Sequence, residues 1–193
     1  MQLPDLTVRA AAAGLLDVAY ATLDSPAGTL LLAATPEGLV RLAYLEEGSE
    51  NAILEDLGHK LSPRVLRAPR QLDPARRQLE QYFEAQRREF ELPLDLRLTE
   101  GFSRRVLAAT SRIPYGSVST YTRVAAQAGS PRGARAAGNA LGANPLPIVI
   151  PCHRVLHSTG GMGGYTGGLD RKRTLLELEG ALSVPYLTHP GRQ

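Results

Sequence analysis

The chain has 193 residues, 43% hydrophobic and 21% charged, which excludes a mainly disordered polypeptide and allows one fair-sized domain or two small ones. No run approaches the ~18 apolar residues of a membrane span. The apolar stretch at residues 11–16 follows Asp5 without a basic n-region, so no secretory signal is expected either. The net charge of +3 divides unevenly: residues 1–99 carry 11 basic and 15 acidic side chains, residues 100–193 carry 11 and 4. A basic second half suits a polyanionic partner such as nucleic acid. Only Lys60 and Lys172 are lysines, so an Arg-preferring genome explains arginine over lysine, but not the difference in sign.

In chain order, residues 18–23 and 29–34 are β-prone runs joined by the turn-forming Asp24-Ser25-Pro26-Ala27-Gly28. A third strand is expected at 39–45, after Pro36-Glu37-Gly38, and a short helix at 51–57, stopped by Gly58. Asp73-Pro74 reads as a helix N-cap with proline at the first helical position, the helix running to about Gln86. Residues 90–94 read as a strand and 95–100 as a polar linker, which sets the expected domains at 1–98 and 99–193.

Beyond the linker, a periodic run from Ser103 through Val106, Leu107 and Ala109 ends at Ile113-Pro114-Tyr115-Gly116. Ser119-Thr120 caps a helix over 121–128, and Ser130-Pro131 caps another over 132–141. The pair reads as a helix-turn-helix, a motif found both in DNA-binding proteins and in enzymes without DNA. The second of these helices is built from Gly133, Ala134, Ala136, Ala137, Gly138 and Ala140, with Arg132 and Arg135 among them. Small residues let a helix approach a neighbouring backbone or a narrow groove, and the pattern alone leaves both open.

The apolar run 148–150 reads as a strand that enters Pro151 and presents the only cysteine, Cys152, beside His153. One cysteine excludes an internal disulfide and a multi-thiolate zinc site, and a cytoplasmic location is the expectation. A lone thiol is either an inert buried hydrophobe or, next to an imidazole able to lower its pKa, a nucleophile. Residues 160–168 hold six glycines around Tyr165, a loop that brings backbone amides close to a ligand or simply turns at the surface. A terminal helix is expected over 169–179, with Leu175, Leu176 and Leu178 inward and Glu179 near its end.

Residues 144–155, Asn144-Pro-Leu-Pro-Ile-Val-Ile-Pro-Cys-His-Arg-Val155, closely resemble the active-site signature of the O6-alkylguanine-DNA alkyltransferases. Tyr121, Ala134-Arg135-Ala136, Gly164-Tyr165-Thr166-Gly167-Gly168 and the end at Leu175–Gly180 match in order and spacing. The resemblance implies an α/β (α+β) protein: a ribonuclease-H-like N-terminal domain, then a winged-helix-type DNA-binding and catalytic domain. It implies that Cys152 takes the alkyl group from O6-alkylguanine, and from O4-alkylthymine, in double-stranded DNA after base flipping, once per molecule. His153 takes the thiol proton through a water, Glu179 supports His153, and Asn144 braces the turn. Tyr121, Val155, Tyr165 and Thr166 hold the base, and Arg135 fills the vacated stack. Arg132, Ala134 and Gly138 meet the minor groove. No metal, cofactor or membrane is implied, and a monomer is expected. Thr166 stands where serine is commoner, which puts a hydroxyl role in question, and Gly142 offers no charge after the recognition helix.

Overall fold

The computed structural model describes residue 14 and residues 16–183. Most of the apolar stretch at 11–16 lies outside the described residues. The chain divides into two compact units, one ending at Leu98 and the other starting at Thr99. No described helix is long and apolar enough to cross a membrane.

The first unit is built on a four-stranded sheet of β1 (Val18–Leu23), β2 (Leu30–Thr35), β3 (Gly38–Tyr44) and β4 (Val65–Arg67). Their order across the sheet is β3-β2-β1-β4. β1 runs antiparallel to β2 and parallel to β4, so the chain needs a crossover, which α1 (Ser49–Lys60) supplies. Alternation puts Val18, Leu31, Ala33 and Val40 against Leu57 and Ile53 of α1, while Leu30 and Leu32 on the other face are equally buried. Both faces of the sheet are therefore covered. Helix α2 (Asp73–Phe83) buries Ala75, Leu79 and Tyr82.

The structure corrects several expectations here. α1 runs through Gly58 to Lys60, its last turn held by Lys60 and Asp56 at 2.8 Å. Asp73 does not cap α2, because a 3-10 turn at Pro69–Leu72 leads directly into it, and α2 stops at Phe83 rather than Gln86. No strand forms at 90–94. Gln78 takes both backbone groups of Glu91 (2.8 and 3.1 Å), and Pro93 has no N–H to offer a ladder. Only Leu94 bridges Leu39. Asp95 is buried, accepts from Thr35 Oγ1 at 2.6 Å and pairs with Arg97, so this part of the expected linker is tied into the first unit.

The second unit contains α3 (Gly101–Thr110), α4 (Tyr121–Gln127), α5 (Ala134–Gly142) and α6 (Leu169–Leu178). Thr120 caps α4 as its sequence suggests, accepting from Arg123 N at 3.2 Å. Ser130 does not cap α5. Residues 130–133 close a turn through Gly133 N to Ser130 O at 2.8 Å, and Gly133 is the cap residue, so Arg132 precedes the helix. A parallel pair of two-residue strands, β5 (Ser119–Thr120) and β6 (Val155–Leu156), ties the start of α4 to the chain after Cys152. Residues 148–150 form no strand. They make a turn in which Ile150 N reaches Leu146 O at 2.8 Å and Ile148 takes φ 73°, a left-handed conformation that costs a β-branched residue about 1–2 kcal/mol.

Candidate active site

That turn is held from inside by Asn144. Its Nδ2 donates to Ile150 O at 2.9 Å and to Cys152 Sγ at 3.2 Å, and its Oδ1 accepts from Leu146 N at 3.0 Å. The strained turn and the thiol thus share one brace. Cys152 begins a 3-10 turn, Cys152–Arg154, so Cys152, His153 and Arg154 fan out into a buried layer instead of alternating along an extended chain. Cys152 is only 4% exposed. Burial pushes its thiol up to about 11, against the opposing pull of the Asn144 hydrogen bond, the Lys172 charge and local amides. The neighbouring imidazole therefore does not bring the resting thiol toward neutrality, contrary to the simplest reading of the Cys-His pair.

His153 is fully buried, and its Nε2 lies 2.9 Å from Glu179 Oε1. Burial holds its pKa down, while Glu179 works the other way. Glu179, just past α6, also receives Arg154 Nε and Nη2, both at 2.8 Å, and Gly116 N at 3.4 Å. Burial alone would raise this carboxyl, but the hydrogen bonds and charges of His153 and Arg154 override it and hold it at about 2. An ionised carboxylate only accepts, so His153 Nε2 carries the proton and Nδ1 keeps its lone pair. Nδ1 has no hydrogen-bond partner among the described residues, which leaves a buried base ready for a proton.

Above this layer opens a cavity of about 680 Å³, within the size range of small-ligand sites. Cys152, Tyr121 and Tyr165 line it together with Ala134, Arg135, Gly138 and Thr166. The Tyr165 ring meets His153 edge-on at 6.3 Å, and Tyr121 packs against His157 at 5.1 Å. Tyr121 Oη donates to Gly164 O at 3.4 Å. Gly163 has φ +67°, and a Cβ there would stand 2.5 Å from Tyr121 Oη, so only glycine lets the loop lie against this ring. The Thr166 hydroxyl donates to Gly142 O at 3.1 Å and is already committed.

Of the residues expected at the site, Asn144 bonds Cys152, and His153, the next residue of the same 3-10 turn, bonds Glu179, with Val155 directly after that turn. Arg132 is exposed and not among the residues lining the cavity. The sequence reading missed Arg154 and Lys172. Arg154 is 5% exposed, doubly bonded to Glu179, and donates to Ile113 O at 2.6 Å. Lys172 is fully buried, its Nζ donating to Val155 O at 2.7 Å, Gly164 O at 3.2 Å and Met162 O. In an arginine-rich half, a basic residue reads as surface. The sequence signal that could have found Lys172 is its place one turn before the buried pair Leu175-Leu176.

Two family models match the chain: the 6-O-methylguanine DNA methyltransferase ribonuclease-like domain over residues 18–96, and the DNA binding domain of the same family over 101–181. A methylated-DNA–protein-cysteine methyltransferase from Mycolicibacterium paratuberculosis is 43% identical over 171 residues, covering 89% of this chain and 98% of its own. The constitutive enzyme of that name from Bacillus subtilis is 36% identical over 163 residues, covering 83% and 94%. The crystal structure of the Mycobacterium tuberculosis O6-methylguanine methyltransferase superposes with a TM-score of 0.74 at 40% identity, covering 87% of this chain and 96% of that one. A complex of the Mycobacterium tuberculosis protein with DNA gives 0.73 at 40% identity, covering 88% and 97%. The chain belongs to the 6-O-methylguanine DNA methyltransferase family.

Proposed function

We propose that this protein repairs O6-alkylguanine, and O4-alkylthymine, in duplex DNA by moving the alkyl group irreversibly onto its own Cys152. One observation carries the reading: the only cysteine lines the cavity, while the base His153 and its carboxylate Glu179 lie buried beside it. The thiol sits at about 11 and so is protonated near neutral pH, and it needs a base before it can attack. His153 Nδ1 takes the proton through a water, and Glu179 stabilises the imidazolium that results.

The lesion lies inside a duplex, so the nucleotide is first turned out of the stack. α5 presents Ala134 and Gly138, whose small side chains suit a minor groove, and the winged-helix-type unit docks there as a single copy. Exposed Arg135 enters the gap left in the stack, and Tyr121 turns the phosphate and hydrogen-bonds the departing base. Tyr165 forms one wall, with the Thr166 amide near O6 and the Val155 carbonyl near the exocyclic amine. The sulfur–carbon bond forms as the carbon–O6 bond breaks. The electron pair of the broken bond stays on the guanine and is balanced by the proton that left the thiol. Donors aimed at the guanine lower the barrier by stabilising that charge as it develops. The product is a thioether with no route back to a thiol, so each molecule acts once.

The test is intact mass after incubation with a duplex containing O6-methylguanine. The expected result is a gain of one methylene mass, mapped to Cys152 and absent from Cys152→Ser. Tight binding without a mass gain would leave a lesion sensor, and repeated turnover of an ester would point to a hydrolase.

A further inference from the structure

We propose that His157 is a further DNA-binding residue of this site: its imidazole donates to a backbone phosphate of the everted nucleotide at the mouth of the cavity. The role rests on the reading of duplex repair given above and adds to it the side chain that meets the phosphate.

The chain climbs the cavity wall from Cys152 to His157. Cys152 is buried, both residues of β6 are buried, and His157, directly after β6, is exposed yet lines the same cavity. A tight turn uses both backbone groups of His157, its N–H donating to Gly161 O at 2.8 Å and its carbonyl accepting from Gly160 N at 3.1 Å. The ring then lies against Tyr121, with centroids 5.1 Å apart and planes at 46°. Tyr121 is in turn closed in by Gly163, where a Cβ would stand 2.5 Å from its Oη, and by Gly138, where a Cβ would stand 3.7 Å from the ring. His157 is thus set against a ring that has little room to move.

The imidazole held in this way has no hydrogen-bond partner on either ring nitrogen among the described residues. It carries at least one N–H in either protonation state, so it is a donor fixed at the cavity mouth. Other polar groups of the lining are committed. Tyr121 Oη donates to Gly164 O, the Thr166 hydroxyl donates to Gly142 O, and Arg135 is assigned to the vacated stack. Asn139 also lines the cavity, but it belongs to α5, the helix assigned to the groove.

The position of the sulfur decides what reaches this donor. The reacting carbon must approach Sγ on the buried floor, so the nucleotide enters base first and leaves its sugar and phosphates at the mouth. A hydrogen bond to an ionised acceptor is about twice as strong as one between neutral groups. Phosphate contacts fix position and carry no sequence information, which suits a protein that must meet its lesion in any sequence. With Tyr121 packed beside His157, the phosphodiester meets two donor side chains on one side of the cavity.

The test measures methyl transfer from a duplex containing O6-methylguanine to the wild-type protein, His157→Phe and His157→Ala. Phenylalanine keeps a ring against Tyr121 and removes the N–H. Each protein is also given duplexes in which the phosphate on the 3′ or the 5′ side of the lesion is replaced, one at a time, by an uncharged methylphosphonate. His157→Phe should slow transfer from the natural duplex about tenfold, with a much smaller loss on free benzylated guanine, which has no phosphate. At one of the two positions the methylphosphonate should slow the wild-type protein by a similar factor and His157→Phe hardly further, because both changes remove the same contact. A slow His157→Ala with His157→Phe at the wild-type rate would make His157 a packing partner of Tyr121 and overturn the proposal. Losses that multiply at both positions, or that are equal on duplex and free base, would overturn it too. A wild-type protein that takes no methyl group from the natural duplex would defeat the functional reading and this role with it, a failure distinct from the others.

Discussion

Glu179 is the negative centre of the buried layer, and removing its charge tests how that layer is held. Glu179→Gln keeps the shape of the side chain but leaves Arg154 buried without a counter-charge. It also places an amide, with donors of its own, where His153 and Arg154 now find only an acceptor. A carboxyl held at about 2 instead of the ordinary 4.5 contributes about 3 kcal/mol at neutral pH. Loss of one member of a buried ion pair costs about 3–5 kcal/mol, in agreement. The folded-state pKa is the depressed one, so this stabilisation is complete above 4.5 and disappears as pH falls toward about 2. Urea unfolding of both proteins, followed on the second unit at neutral and acid pH, measures it. The variant should be weaker by about 3 kcal/mol at neutral pH, with the gap closing across the acid window. A gap of the same size at both pH values, or none at neutral pH, would show that the Glu179 charge does not hold the layer. The same variant should slow alkyl transfer and raise the apparent thiol pKa, and an unchanged pH–rate profile would remove Glu179 from the relay.

Arg135→Ala should impair repair of duplex DNA about tenfold or more while sparing reaction with free benzylated guanine; equal losses on both substrates, in parallel rate measurements, would contradict base-stack substitution. Asn144→Ala removes the donor to Sγ and the brace of the 144–150 turn, so the iodoacetamide profile of Cys152 should move to higher pH and urea should report a loss of about 2 kcal/mol. An unmoved profile would show that the Sγ contact carries no charge stabilisation. Gly163→Ala puts a methyl group against Tyr121 Oη and strains a left-handed residue by about 1 kcal/mol, so thermal unfolding should come earlier and duplex repair should slow. Wild-type repair rates in that variant would separate the Tyr121 position from catalysis.

The elements legible in the sequence were those whose signals are local. β1 forms at Val18–Leu23 as its apolar run implies, and the Thr120 cap starts α4 where a short polar side chain precedes a periodic run. The turn at 148–150 was hidden because isoleucine and valine between two prolines read as strand. What bends it is Asn144, several residues upstream, which accepts from and donates to the turn backbone. The 90–94 strand failed for a similar reason, since Gln78 claims the backbone groups that a ladder would need. β4 is three residues long and carries too little pattern to be read.

The site was legible as a set of residues and not as an electrostatic layer. Cys152 and His153 are adjacent in sequence, but Glu179 reaches His153 across 26 residues, and only the resemblance to a known family drew it in. Arg154 and Lys172 went unread because charge normally marks surface, and here the fold surrounds each with acceptors. The raised thiol is likewise a property of burial, which adjacency to an imidazole does not reveal.

In the proposed reaction one sulfur accepts one alkyl group and keeps it. It is tested most directly by titrating the protein with a large excess of duplex carrying an isotopically labelled methyl group on guanine O6 and following protein-bound label over time. Protein-bound label should reach a plateau at one per polypeptide, confined to the Cys152 peptide, and not rise with longer incubation. Label that is released so that turnover continues, or that settles on any other residue, would contradict it.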